Sequence, residues 1–560
     1  MSPYAGLHGG FLPEDGPAWQ RIRRYAVPGW MIEQATAHRL AGDWRAACAV
    51  AAVDVDFDLP ELAARYGASV AGALEDDLRH LAPDLLRWHV PRLLGGRTTI
   101  DTERRILLAS YGDGSGAPVL SVTTPLMAEG PQRLRLQCAP VVPVKWNRYT
   151  GRGFVPEDWT AVRPFWDARC ASELGERFGD PDGRAERIAL LHARGDVAAA
   201  YEAAGIERDL TVPTPQSYQR PVDPETLFGQ VRVDLTRLVP EVGRLVASGA
   251  GDRYRITADW RTYLLLEPGG PDRLRARFME LDEALAVPPL PRYVWQPLPD
   301  LELVRTGRIT PRELHPLVAA ALFPGAGPAV GPPGPADAGP VKVRCCGEWH
   351  EVRSRGGVLD LPHTPEEQQR ERAMRAFGGA VAGCFAVQQT WITGEGRLPR
   401  ALRAQRRELF LRAQHGDTPG VVALLDAGTD PRIRDARGRG LLHELHLLDH
   451  EVLLPRLLAA GLDLEARDSH ERTPLLSAVH WGGSPDLVRA LLAAGSRIDV
   501  IDEMELSLSQ EILRYKRTDL DFLRQRVDEE FPDIGADWWD EYVEDREEFE
   551  DDEDDEDDEA

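Results

Sequence analysis

Cysteine and histidine gather in one stretch of this chain: Cys345-Cys346, His350, His363 and, further on, Cys384. Thiolate and imidazole are the ligands that zinc takes in closed tetrahedral sites. The spacing argues against such a site, because zinc ribbons and fingers separate paired ligands by about two to four residues. Adjacent cysteines break that rule and a second pair is missing. These side chains therefore read as buried thiols on a small meander and helix, and neither metal nor cofactor is expected. Asp54, Asp56 and Asp58 offer three carboxylates at alternate positions. An EF-hand calcium loop needs a glycine next and a glutamate at its twelfth place, where this chain has Leu59 and Arg65. Gly112 to Gly116 lacks the Gly-Lys-Ser/Thr of a phosphate loop, and no Gly-x-Ser-x-Gly elbow occurs. Arg400, Arg403, Arg406 and Arg407 stand at helical spacing and read as a solvated face. No catalytic constellation emerges, and the chain reads as a non-enzyme.

The informative pattern is periodic. Leu424-Leu425-Asp426-Ala427-Gly428, Leu457-Leu458-Ala459-Ala460-Gly461 and Leu491-Leu492-Ala493-Ala494-Gly495 repeat one phrase, with glycines 33 and then 34 residues apart. Arg434-Asp435, Arg467-Asp468 and Ile501-Asp502 keep the same beat. Self-similarity at this period belongs to solenoids of stacked helical pairs. Such a unit cannot bury its apolar face alone, so its neighbours stack and leave an extended surface.

Within one period the residues carry a family likeness. Asp468, then Thr473-Pro474-Leu475-Leu476 and Ala478, then Gly482, Val488, Leu491-Leu492 and Gly495, resembles the ankyrin repeat. That pattern is an Asp-rich turn, Thr-Pro-Leu-His, a glycine between helices, Val-x-x-Leu-Leu and a closing glycine. Leu476 stands where the histidine belongs. Thr473 suits a cap and Pro474 a first helical turn, and Gly495 suits the left-handed end of the second helix. The middle repeat has Gly440-Leu441-Leu442-His443 instead, and a terminal unit from Ser507 to about Arg526 has lost most of the pattern. The resemblance covers roughly 401–530. It implies an α-solenoid that binds another protein, an acidic one included, and is not itself catalytic. Partners of that family meet the turn tips and the exposed face of the first helices. Carried onto this chain, those positions are Arg437, Arg439, His443, Arg467, His470, Arg472, His480 and Trp481.

The elements around these residues divide the chain. Residues 1–28 read as an irregular arm. Residues 29–215 read as a mainly helical domain, in which Gly42-Asp43 and Gly195-Asp196 mark isolated helical hairpins with extended exits. Within it Asp101-Thr102-Glu103 opens a short helix, Val119 to Pro140 forms a hairpin, and helices resume near Pro156. The hairpin shows in Leu134, Leu136 and Cys138 alternating with Arg133, Arg135 and Gln137, the period of a half-buried strand. Residues 216–323 read as an α+β region, with helix starts at Asp223-Pro224 and at the capping box Thr310 to Glu313. Residues 324–340 are a Pro/Gly linker. Residues 341–400 read as a β-meander followed, from the capping box Thr364 to Glu367, by one long helix. The array occupies 401–535 and an acidic disordered tail 536–560. The fold class expected is a multi-domain, α-rich chain, with an α+β N-terminal region followed by a C-terminal α-solenoid of ankyrin repeats.

Composition excludes more than it assigns. Of the net charge of −25, residues 540–560 carry −15, from 16 acids and one arginine. Nucleic acid is an unlikely match for such a chain, since affinity for it comes from cations neutralising phosphates. The tail instead suits an intramolecular contact with the cationic turn tips, and Trp538-Trp539 suit a cap on the array's open end. No apolar run approaches the roughly 20 residues that span a bilayer, and Met1 to Gln20 shows no signal peptide, so no membrane partner is expected. Six cysteines in so long a chain fit a reducing compartment, and the expected location is the cytoplasm. The alternative function is an enzyme of unknown chemistry in 29–320 that uses the array for targeting.

Overall fold

Gly42 turns the chain with a left-handed backbone (φ 79°) between the helices Gly29–Leu40 and Trp44–Val50. Asp43 caps the second helix by accepting the N–H of Ala46 at 3.0 Å, which satisfies one of the donors that a helix start leaves orphaned. The computed structural model describes residues 15–539, except 95, 113, 115, 142–154, 181, 212–222, 232, 250, 258–262, 271, 280–282, 285, 335–338, 356–357, 378–381 and 394–395. The predicted acidic tail from 540 onward lies outside the described residues. Two compact units divide the chain, Met1–Ala128 with Arg133–Pro333, and Glu129–Gln132 with Gly334–Ala560. The boundary at Pro333 and Gly334 falls within the predicted linker.

In the first unit the hairpin runs out into β1 (Val53–Val55). Three helices follow, Leu59–Tyr66, Ala68–His80 and Pro83–His89. An antiparallel meander of β2 (Arg104–Ser110), β3 (Pro118–Thr123) and β4 (Leu134–Pro140) comes next. β1 lies parallel to β4, with Val53 opposite Leu134, and β5 (Val155–Asp158) lies parallel to β2. The predicted alternation in β4 holds: Leu134, Leu136 and Cys138 are buried and Arg135 is exposed.

The same arrangement is then laid down a second time. Gly195 (φ 80°) separates the helices Arg184–Ala193 and Val197–Ala204, and Asp196 caps the latter through Ala199 N–H at 3.3 Å. The exit strand β6 (Ile206–Asp209) lies parallel to β9 (Arg273–Met279), which ends an antiparallel meander with β7 (Tyr254–Thr257) and β8 (Tyr263–Gly270). The sheet order β6-β9-β8-β7 repeats β1-β4-β3-β2. In place of a fifth strand, Pro289 bridges Arg255 in parallel. Each copy ends in a helical turn from an arginine to a tryptophan, Arg163 to Trp166 and Arg292 to Trp295. The tryptophan carbonyls accept the N–H of Ala82 at 2.8 Å and of Asp234 at 2.7 Å, the residues before the helices Pro83–His89 and Leu235–Ala247. A continuous apolar core joins both copies, from Ile22 to Ala319, so the regions 29–215 and 216–323, separated on sequence, share one interior.

Other expectations give way here. The irregular arm contains a helix, Gly16–Tyr25, and residues 1–14 lie outside the described residues. Asp101 starts no helix. Its carboxylate accepts from Arg104 Nε at 2.9 Å, Glu103 takes a left-handed φ of 56°, and β2 follows. Near Pro156 the chain is strand rather than helix, because β5 completes the sheet beside β2.

In the second unit, β10 (Val341–Cys345), β11 (Glu348–Arg355) and β12 (Val358–Asp360) form an antiparallel meander. Cys346 and Gly347 make a two-residue hairpin turn, with φ 52° and 92°, the conformation that matches strand twist. The expected long helix is two, Pro365–Ala376 and Gly383–Thr393. The Thr364 cap is present, with Glu367 N–H donating to Thr364 Oγ1 at 3.2 Å. Helices then come in succession, Arg400–Gln414, Thr418–Asp426, His450–Ala459, Pro474–His480, Pro485–Ala493, Leu508–Arg514 and Asp521–Glu530. Asp417, Asp449, Thr473, Ser484 and Ser507 cap five of them. Gly428, Gly461 and Gly495 leave three of them with φ of 97°, 77° and 103°. Among the described residues the fold is mixed α/β with three sheets, and no helix is long and apolar enough to cross a membrane.

Candidate functional site

Asp435, Asp468 and Asp502 build one turn three times. Each Oδ1 accepts two backbone N–H groups: Arg437 and Arg439 at 2.8 and 2.9 Å, His470 and Arg472 at 2.8 and 3.0 Å, Met504 and Leu506 at 2.9 and 3.1 Å. Gly438, Glu471 and Glu505 occupy the matching left-handed position, φ 73°, 57° and 64°. The turns also join tip to tip, because Ser469 N–H donates to Arg437 O at 2.7 Å and Glu503 N–H to His470 O at 2.9 Å. These aspartates were visible in the sequence as a beat, but nothing there assigned them this work.

Of the eight predicted contact residues, six lie on or just beside these turns, His480 and Trp481 end the helix Pro474–His480, and the eight divide by burial. Arg437, Arg467 and His470 carry exposed side chains, and Trp481 is half-buried. Glu503 takes His470 Nδ1 at 2.5 Å and Glu471 takes Arg467 at 3.2 Å. The segment Glu129–Gln132 groups with this unit, and the Glu129 carboxylate accepts from Arg437 at 3.0 Å and Arg439 at 2.9 Å. Arg439 also holds Asp435 and Glu444. His443, Arg472 and His480 are buried and bond to partners inside the unit rather than face solvent. His443 Nδ1 accepts the N–H of Gly440 at 3.2 Å, and Nε2 faces the carbonyls of Ala466 at 3.0 Å and Arg472 at 3.2 Å. Arg472 reaches Asp502 at 3.5 Å, and His480 Nδ1 meets the buried Glu511 at 2.9 Å. A cleft of about 270 Å³ opens beside the turns, lined among others by Arg432, Arg434, Leu442, Leu462 and Asp463.

No protein-family model matches the chain.

A second cluster forms where the sequence reading set chemistry aside. Cys345, His350, His363 and Cys384 bring one ligand atom each within 4.8 Å of one another. His350 Nδ1 lies 3.2 Å from His363 Nε2, Cys345 Sγ 3.6 Å from His363 Nε2, and Cys384 Sγ 3.6 Å from His350 Nδ1. Burial, then the neighbouring Cys345, pushes the Cys384 thiol up to about 12. The adjacent Cys346 sits in the hairpin turn and is exposed. Spacing does not reveal this cluster because its four side chains come from a strand end, the next strand, the loop after the meander and a later helix.

The remaining sequence candidates are accounted for locally. Asp54 pairs with Arg133 at 2.5 Å, Asp56 accepts from Gln137 at 3.1 Å, and Asp58 caps the helix Leu59–Tyr66. Arg406, expected on a solvated face, is buried and donates to Thr390 O at 3.1 Å.

Proposed function

We propose that residues 401–535 are an ankyrin-type array through which the protein binds another protein, as a scaffold, adaptor or inhibitor. What supports this reading is the threefold turn. Three aspartates at spacings of 33 and 34 make the same pair of backbone hydrogen bonds and the same tip-to-tip link. That matches the Asp-rich turn of the resemblance, and neighbour-to-neighbour bonding of this kind is how a solenoid propagates. The contact surface is then the exposed strip carried by Arg437, Arg467 and His470, with the half-buried Trp481 as an aromatic anchor of the kind that dominates binding energy.

The test is capture from the native lysate by full-length protein and by an Arg467→Ala, His470→Ala, Trp481→Ala variant, after circular dichroism shows equal folding. A partner held by the first and lost by the second supports the array. A partner held equally by both moves recognition to another surface, and no partner for either counts against the reading.

A further inference from the structure

We propose that Cys345, His350, His363 and Cys384 bind one zinc ion in a closed four-ligand site. The distances fit a metal. Zinc holds sulfur at about 2.3 Å and imidazole nitrogen at about 2.0–2.1 Å in a tetrahedron. Those bond lengths place two nitrogens about 3.3 Å apart and a sulfur and a nitrogen about 3.6 Å apart. The structure has 3.2 Å between the nitrogens and 3.6 Å for two sulfur–nitrogen edges. Two thiolates and two imidazoles are a donor set that selects zinc over the hard cations, which prefer oxygen.

The surroundings are shaped to the same purpose. Glu367 Oε2 lies 3.4 Å from His363 Nδ1, behind the ring whose Nε2 faces the cluster. That is the carboxylate–histidine arrangement which fixes the ring and strengthens it as a ligand. Gly383, with a left-handed φ of 59°, packs so closely that a Cβ there would stand 2.4 Å from Cys345 Sγ. Only glycine lets the helix Gly383–Thr393 deliver Cys384 beside Cys345. Cys346 is exposed in the hairpin turn and, although its thiol interacts with Cys345, it is not one of the four side chains that converge.

Four protein ligands leave no open position, so the site is structural rather than catalytic. It clips the hairpin of β10 and β11, the loop after β12 and the helix Gly383–Thr393 into one body. Such metal binding couples directly to folding.

The full-length chain, loaded with zinc under reducing conditions and desalted, should retain about one zinc per chain by elemental analysis. Cys346→Ser should retain it equally, while Cys384→Ser and His363→Ala should each lose at least about tenfold in affinity. Cobalt loaded into the wild-type chain should give the visible bands of a tetrahedral centre with a thiolate charge-transfer band, a readout that needs no variant to fold. Wild-type protein that holds neither metal overturns the site. So does zinc that survives loss of Cys384 or His363, or an intact mass showing that Cys345 and Cys384 have joined as a disulfide.

Discussion

His443 shows how one residue can serve a turn that lacks its usual cap. At the corresponding place after the third turn, Ser507 starts the helix and Gln510 Oε1 accepts the Ser507 N–H at 3.1 Å. Gly440 offers no cap, and His443 Nδ1 takes its N–H instead. That acceptor role leaves the proton on Nε2, which donates to the two carbonyls, so the ring is fixed as the neutral tautomer. Burial, the largest cause, holds its pKa below the ordinary value near 6.5. The unfolded chain therefore binds the proton first, and protonation favours unfolding. This contribution is complete above about pH 7 and is lost as pH falls below about 6.5, at no more than about 1.4 kcal/mol per pH unit. The melting temperature of the wild type should fall more between pH 7.5 and 5.5 than that of His443→Gln. Parallel declines would remove His443 from the account. A second residue-scale expectation concerns the first unit. Arg23 forks onto Asp300 at 2.8 and 2.7 Å and donates to Trp88 O at 2.6 Å, while Trp88 Nε1 donates to the same carboxylate at 3.1 Å. Asp300→Ala strands a buried cation and should cost about 3–5 kcal/mol in urea unfolding; a loss under about 1 kcal/mol would mean that the site relaxes around the gap.

Among elements, the three turns carry the firmest expectation. Asp468→Ala removes a buried carboxylate that accepts two N–H bonds and should cost about 1–3 kcal/mol. Asp486→Ala, an exposed helix residue, should stay within about 0.5 kcal/mol. Equal effects would mean that the turn carries no special weight. The sequence revealed these elements unevenly, for physical reasons. Period two exposed the hairpin of β3 and β4, and the 33-residue beat exposed the helical succession, because both patterns are local. β5 stayed hidden because its partner β2 lies some fifty residues earlier, and a short parallel edge strand has no alternation of its own. Asp101 carried a helix-start signal, but Arg104 and Arg292 claim its carboxylate. The cysteine–histidine cluster was legible as a composition but not as a cluster, since ligand spacing reports only groups built on one or two adjacent elements. For the predicted contact residues, the resemblance gave positions along the turns and first helices but not the burial of His443, Arg472 and His480.

At the scale of the molecule, two apolar cores, Ile22 to Ala319 and Val343 to Val527, predict two calorimetric transitions. A zinc chelator should lower one and leave the other in place. A single transition, or equal shifts in both, would show that the units melt as one. The doubled arrangement of the first unit has another consequence. A chain that says one motif twice carries its own relative, and the two copies can be compared as kin. Where they agree, at Gly42 and Gly195, Asp43 and Asp196, Arg163 and Arg292, Trp166 and Trp295, the architecture is the constraint. Where they differ, each copy has settled its interior separately, as with Cys48 against Tyr201 at matching positions of the second hairpin helix. The first copy also keeps a buried Asp84–His315 pair at 2.9 Å where the second has Thr236 at the same turn of its helix. That pair marks a requirement of the first copy that the shared architecture does not impose on the second.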